Sequence, residues 1–143
     1  MIETNAIRNP ALSVAEGTPY AVQLRDRLQI RPEIAFAYLY GSFVEGLPYH
    51  DVDVALYLDP SWAGDVFEYE MSLSTELTLA LRVMVDVHAL NGAPLGFCHA
   101  VLQGAPLFVR DEEMLADYIE RVSLDSMEFE HLARAYTHEV ALP

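Results

Sequence analysis

Apolar and polar positions along this chain fall into segments that alternate between helical and strand-like spacing. The first is an amphipathic helix, predicted to begin after Thr18 as N-cap, with Pro19 in its first turn, and to end near Gln29. Ahead of it, residues 1–18 carry turn-forming Asn, Pro and Gly without sustained periodicity. They are predicted to form an irregular arm outside a single domain that spans 19–143.

The rest of the pattern predicts a layered fold. Apolar runs at positions 34–40 and 52–58 are rich in β-branched and aromatic residues and predict buried strands. Later segments predict a helix over 63–81, a strand over 83–90, a helix over 94–102, a strand over 107–109 and a helical region from Asp111 with a break near 123–126. The order α, β, β, α, β, α, β, α predicts an α/β (α+β) fold in which a small mixed β-sheet packs against helices, with helices at the C-terminus.

Charge narrows the range of partners. The 143 residues include 22 Asp and Glu against 8 basic residues, all arginine, for a net charge of −14. Since nucleic acids and anionic membranes are bound through clustered Lys and Arg, we expect no direct nucleic-acid binding and no membrane binding. Cations, metal ions and basic proteins are the expected partners, and a homo- or hetero-oligomer is compatible with this surface. The single cysteine, Cys98, and the lack of a signal-peptide pattern favour a cytoplasmic protein.

Two acids at the start of the second predicted strand are the first candidate for chemistry. Asp51 and Asp53 are two residues apart, so on a strand both carboxylates point to the same side. Like charges beside apolar neighbours repel each other and raise their own pKa values unless a cation neutralises them, and carboxylate oxygens are ligands that hard cations prefer. The competing interpretation is that both acids lie at the solvated start of a strand.

A Gly-Ser dipeptide after the first predicted strand supplies a complementary element. If Gly41 ends the strand and Ser42 begins a helical turn, backbone N–H groups and the Ser42 hydroxyl converge on one point, where a phosphate can bind. Glycine at position 41 permits a close approach of the backbone. The combination predicts phosphate-binding amides at the end of one strand and cation-binding carboxylates at the start of the next.

A third acid, Asp86, lies in the middle of the apolar run VMVDVHAL. A charged residue in a buried strand needs a compensating cation or donor. Either Asp86 completes the cation site or it pairs with an arginine such as Arg82. His88 lies two residues further on, on the same face, as a neighbour that could form a hydrogen bond.

The motif GSFVEG, followed by DVD and a later lone strand aspartate, resembles the nucleotidyltransferase superfamily related to DNA polymerase beta, from about residue 34 to the C-terminal helices. Length and layout are most similar to the minimal nucleotidyltransferases (MNT domains), the MntA-like antitoxins paired with HEPN toxins. The resemblance implies the nucleotidyltransferase fold, with Gly41 and Ser42 binding the nucleotide and Asp51, Asp53 and Asp86 as catalytic residues that bind two Mg²⁺ ions. It also implies an ATP substrate and transfer of AMP to a tyrosine of the HEPN-type toxin, a ribonuclease, which is thereby neutralised.

The chain departs from the family pattern in the loop between the first two strands. His50 stands where a serine is usual, Glu45 where a basic residue is common, and the loop is about two residues shorter. Two alternatives therefore stay open beside the protein adenylyltransferase. One is a catalytically weak antitoxin that acts by binding only, and the other is a small-molecule nucleotidyltransferase of the aminoglycoside type.

Overall fold

The computed structural model describes residues 19–41 and 51–141, with side chains as far as residue 131 except those of 19 and 129. The predicted order of helices and strands is confirmed over this part of the chain, whereas the predicted arm and the Thr18 cap lie outside it. The described helices are α1 (Pro19–Gln29), α2 (Val66–Leu81), α3 (Leu95–Leu102) and α4 (Glu112–Ala141). The strands are β1 (Ile34–Tyr40), β2 (Asp51–Leu58), β3 (Met84–Ala89) and β4 (Ala105–Val109).

The four described strands form one mixed sheet in the order β3-β2-β1-β4. β1 runs antiparallel to both of its neighbours, β2 and β4. β2 and β3 are parallel and are joined through α2, the crossover connection that parallel strands require. The predicted small mixed sheet packed against helices is therefore confirmed.

Both faces of the sheet are covered by helices. One face carries the leucine and valine side chains of the strands and packs against α1 and α2. On the opposite face, Phe36, Tyr38 and Tyr57 pack against residues of α3 and α4, including Tyr118. Because side chains alternate along a strand, the acids of β2 and β3 lie on this second face, at the end where its apolar cover stops.

Several predicted boundaries shift by one to three residues in the structure, and one predicted break is absent. α2 begins at Val66 rather than at 63, because the Asp65 side chain accepts a hydrogen bond from the Glu68 N–H and caps the helix there. The predicted break near 123–126 is wrong, since α4 continues through it for 30 residues, about 45 Å at 1.5 Å per residue. The stretch holds serine and aspartate but neither glycine nor proline, and such residues lower helix propensity only slightly. None of the described helices is long and apolar enough to cross a membrane.

The outer edge of β3 is closed by side chains of α2. Alternate N–H groups of the strand point away from β2, and each successive one donates to an oxygen on a residue four positions earlier in the helix. The three bonds are Val85 N–H to Thr78 Oγ1 (2.9 Å), Val87 N–H to Ser74 Oγ (2.9 Å) and Ala89 N–H to Glu70 Oε2 (2.7 Å). We call this set the edge ladder. It satisfies donors that an edge strand would otherwise leave open to another strand.

The edge ladder predicts a specific loss of stability in Ser74→Ala. The variant leaves the partly buried Val87 N–H without its acceptor, which should cost about 1–2 kcal/mol of unfolding free energy. Ser72→Ala is the matched control, because Ser72 is exposed on the same helix and its replacement brings the same gain in helix propensity. Urea unfolding compares the two, and equal stabilities would contradict a structural role for the ladder.

Candidate active site

Three neighbouring strands bring a glycine and two acids into one row across the sheet. In the antiparallel pair, Tyr40 at the end of β1 lies opposite Asp53. In the parallel pair, Asp53 lies in register with Asp86 of β3. Gly41, which follows Tyr40, therefore lies beside Asp53, and Asp53 lies beside Asp86. The structure brings these three predicted site residues together, although Gly41 and Asp86 are 45 positions apart along the chain.

Gly41 contacts the carboxylate directly. Its φ is +85°, in the region that L-residues rarely adopt, and a Cβ built there would lie 2.6 Å from Asp53 Oδ2. Any side chain at this position would therefore displace the carboxylate as well as strain the backbone. The role predicted for Gly41, close approach of the backbone to a phosphate, stays a prediction, and the group that lies against Gly41 in the structure is an acid. Its predicted partner Ser42 lies outside the described residues, as do Glu45 and His50.

Asp53 is the acid on which the electrostatics of the site concentrate. It is partly buried, and burial is the main cause that raises the pKa of its carboxyl above the ordinary value. The neighbouring carboxylates of Asp86 and then Asp51 raise this pKa further, while His88 lowers it. Negative charge is thus held at Asp53 at a cost in free energy, as the sequence predicted for paired acids on an apolar strand.

Asp86 is paired with a histidine rather than with an arginine. His88 Nε2 lies 3.1 Å from Asp86 Oδ2, with both side chains on the same face of β3 and about half exposed. The alternative pairing with Arg82 is not found among the described residues. Arg82 instead ends α2 in a left-handed conformation (φ 60°), and its backbone N–H donates to the Thr78 carbonyl oxygen.

Aromatic rings border the acids, and the sequence interpretation did not place them in the site. The Phe97 ring of α3 makes edge contacts with Tyr40 (centroids 5.5 Å apart) and with His88 (5.8 Å). The pKa of the Tyr40 hydroxyl is raised by burial and by the nearby charges of Asp53 and Asp86. Tyr40 could have been found from its position directly before Gly41, whereas only the packing of α3 reveals Phe97.

The donor chemistry of this row suits Mg²⁺, which binds through oxygen ligands and usually retains several waters. Asp53 and Asp86 are brought together, and the exposed Asp51 is near enough to affect the pKa of Asp53. Within residues 19–41 and 51–141, however, no three His, Cys, Asp or Glu side chains are already arranged as a metal-binding group. The carboxylates of Asp53 and Asp86 are therefore a suitable pair of ligands for Mg²⁺, and Asp51 is a third acid beside them.

Sequence comparison decides the family. The model of the family described as polymerase beta, nucleotidyltransferase matches residues 23–113, well over half of the chain and the whole of the site. The chain belongs to the polymerase beta nucleotidyltransferase family. The resemblance inferred from GSFVEG, DVD and the lone strand aspartate is thereby confirmed, and so is the fold. No curated protein matches this nucleotidyltransferase significantly.

Solved structures of similar fold are toxin–antitoxin complexes. A chain of an MntA–HepT complex is 18% identical to this nucleotidyltransferase, with a TM-score of 0.64, over 86% of this chain and 97% of that one. A chain from the structure of tri-AMPylated Shewanella oneidensis HEPN toxin in complex with MNT antitoxin matches at 20% identity and TM-score 0.61, over 84% of this chain and 98% of that one. A toxin–antitoxin structure with AMP-PNP matches at 19% identity and TM-score 0.64, over 87% and 100%. At these identities the likeness shows the fold.

The contact at Gly41 predicts that Gly41→Ala lowers the stability of this nucleotidyltransferase by about 2 kcal/mol, the usual scale of left-handed strain in a residue with a Cβ. Gly96→Ala is the control, since a Cβ at Gly96 meets nothing within 4 Å. That change lies in α3 and should leave stability unchanged or raise it by up to about 1 kcal/mol. Thermal unfolding of both variants tests the difference, and two equal shifts would contradict it.

The raised pKa of Asp53 predicts a pH-dependent gain in Asp53→Asn. The folded protein binds the proton of Asp53 more tightly than the unfolded chain, whose carboxyl keeps a pKa near 3.8. Without divalent metal at pH 7, the variant should therefore be more stable than wild type by up to about 1 kcal/mol. As the pH falls through the raised pKa, wild type gains stability relative to the variant, and the two converge below about pH 4.

Urea unfolding between pH 4 and 7 measures this difference. Asp59→Asn is a control of opposite sign, because the Ser61 N–H and hydroxyl donate to Asp59 and lower the pKa of its carboxyl. Asp59 thus contributes stability above its unfolded pKa that is lost on acidification, so its removal should destabilise the protein at pH 7 only. An Asp53→Asn variant that is less stable than wild type at pH 7 would contradict the repulsion.

Proposed function

We propose that this nucleotidyltransferase is an Mg²⁺-dependent antitoxin that transfers AMP from ATP to a tyrosine of a HEPN-type ribonuclease toxin and so neutralises it. The observation that carries the proposal is the row formed by Gly41, Asp53 and Asp86. Two carboxylates that repel each other in register beside a glycine cost stability, so their presence favours a protein that has kept the activity of the family as well as its fold. The metal and nucleotide roles of these residues, with those of Asp51 and Ser42, are part of the proposal.

In this proposal each residue of the site binds a different part of the reaction partners. Gly41 and Ser42 bind the nucleotide phosphates through backbone N–H groups and the serine hydroxyl, since a residue without a side chain leaves the backbone accessible. Asp51, Asp53 and Asp86 hold two Mg²⁺ ions, which supply neutralisation of the triphosphate and of the departing pyrophosphate. The half-exposed carboxylate of Asp86 is the acid assigned to the side of the acceptor hydroxyl.

The transfer step exchanges one phosphate bond for another. The oxygen of the acceptor tyrosine forms a bond to the α-phosphorus of ATP, while the bond from that phosphorus to the bridging oxygen breaks and pyrophosphate leaves. The tyrosine proton passes to Asp86 or to water beside it. Asp53 remains ionised throughout, because it has to hold positive charge against the phosphates.

A protein acceptor fits the surface better than a small molecule. α4 carries exposed apolar side chains at Leu124 and Met127, and a groove of about 590 Å³ lies between α3 and α4. Around them α4 is strongly acidic, which suits a basic, RNA-binding partner. The similarity to complexes that contain an AMPylated HEPN toxin and AMP-PNP supports the same acceptor and nucleotide.

The proposal predicts that the purified protein labels its cognate toxin. With Mg²⁺, ATP labelled at the α-phosphate and the HEPN-type product of the neighbouring gene, we expect label on a toxin tyrosine, located by mass spectrometry. Asp53→Ala and Asp86→Ala should lower the rate by at least about 100-fold, because each removes charge that holds the metal ions at the reacting phosphate. Asp26→Asn, which removes an exposed acid of α1 on the opposite face of the sheet, should label at the wild-type rate.

Other outcomes identify the alternatives. A tight complex that inhibits the toxin without any label would overturn the enzymatic proposal in favour of an antitoxin that acts by binding. Label that passes to aminoglycosides and not to the toxin would indicate a small-molecule nucleotidyltransferase. Labelling that persists in Asp53→Ala would place the chemistry elsewhere in the chain.

A further inference from the structure

Within residues 19–41 and 51–131, His88 is a polar side chain that contacts an acid of the site and has no role in the proposed function. Its Nε2 lies 3.1 Å from Asp86 Oδ2, a distance at which an N–H donates a hydrogen bond to a carboxylate. Both residues are on the same face of β3, two positions apart. The contact therefore engages one carboxylate oxygen of Asp86 and constrains the rotation of that carboxylate.

The His88 imidazole also contacts an aromatic ring of α3. The Phe97 ring makes an edge contact with His88 at 5.8 Å and a second edge contact with Tyr40 at 5.5 Å. Tyr40 is in turn paired through the backbone with Asp53. Contacts therefore link Asp86 through His88 to the rings of Phe97 and Tyr40, and backbone pairing links Tyr40 to Asp53. The half-exposed imidazole of His88 is thus in contact with α3 as well as with Asp86.

We propose that His88 is a positioning residue, which donates its Nε2 proton to Asp86 Oδ2 and holds the carboxylate in the orientation needed beside Asp53. This inference rests on the proposed function, in which both acids hold Mg²⁺. His88 acts through Asp86 and does not itself touch the ion or the nucleotide. A hydrogen bond to a carboxylate ligand orients that ligand while leaving its second oxygen available, and loss of such a bond typically weakens metal binding 10–100-fold.

The test compares two replacements of the histidine. In Gln, the side-chain amide nitrogen occupies a position close to that of Nε2, so His88→Gln keeps a donor, whereas His88→Ala removes it. Mn²⁺ affinity is measured by electron paramagnetic resonance in the presence of a non-hydrolysable ATP analogue. We expect His88→Ala to bind Mn²⁺ about 10- to 100-fold more weakly than wild type and His88→Gln to stay within about threefold.

Matched controls separate this role from a general loss of structure. His99→Ala removes an exposed histidine on α3 away from the acids and should bind Mn²⁺ as wild type does. Thermal unfolding reports whether each variant is folded. Phe97→Leu keeps the bulk of α3 but removes the ring contact, and should weaken Mn²⁺ binding by an amount between those of the two His88 variants.

Three results would overturn the inference while leaving the proposed function intact. One is wild-type Mn²⁺ affinity in His88→Ala alongside loss of binding in Asp53→Asn. Another is an equal loss in His88→Gln and His88→Ala, which would make the imidazole a direct metal ligand. The third is an imidazole ¹⁵N spectrum that shows His88 protonated only on Nδ1. Failure of the wild-type protein to bind Mn²⁺ with the analogue would instead count against the proposed function.

Discussion

Two carboxylates that repel each other are the constraint on which this structure depends. Parallel pairing of β2 with β3 puts Asp53 in register with Asp86, and burial adds to the cost of charge at Asp53. The residues next to the two acids accommodate this cost in free energy. β1 is followed by Gly41, whose missing side chain leaves room for the Asp53 carboxylate, and His88 Nε2 lies at hydrogen-bonding distance from the carboxylate of Asp86. A fold optimised only for stability would have placed apolar or uncharged residues at both positions.

The apolar layers explain how the sheet tolerates such a site. One face of the sheet is filled mostly by aliphatic side chains beneath α1 and α2, and none of the buried residues in the described part of the chain is charged. The other face is split along its length: aromatic rings pack under α3 and α4 at one end, and the acids lie at the other. The apolar burial on both faces therefore offsets the free-energy cost of the repulsion between Asp53 and Asp86.

Local pattern predicted much of this arrangement, and the remainder follows from packing between distant segments. The order of elements in the described chain follows from apolar spacing, and the three acids and Gly41 were found because charge on a strand and glycine after one are unusual. The continuity of α4 through 123–126 was missed because serine and aspartate weaken a helix without ending it. Phe97 and the pairing of Asp86 with His88 rather than Arg82 depend on where α3 and the end of α2 lie, which no local pattern reports.

The edge ladder has a consequence beyond protecting an edge strand. Its three acceptors stand at every fourth position of α2, and its three donors at every second position of β3, so all three bonds form together in only one alignment. A slip of β3 by one residue would turn Asp86 to the opposite face of the sheet. The acceptors Glu70, Ser74 and Thr78 therefore fix the register of β3 against α2. The alignment of Asp86 with Asp53 thus depends in part on α2, a helix that covers the opposite face of the sheet. Substitutions at the acceptor residues of α2 would therefore change the geometry of the acids without contacting them.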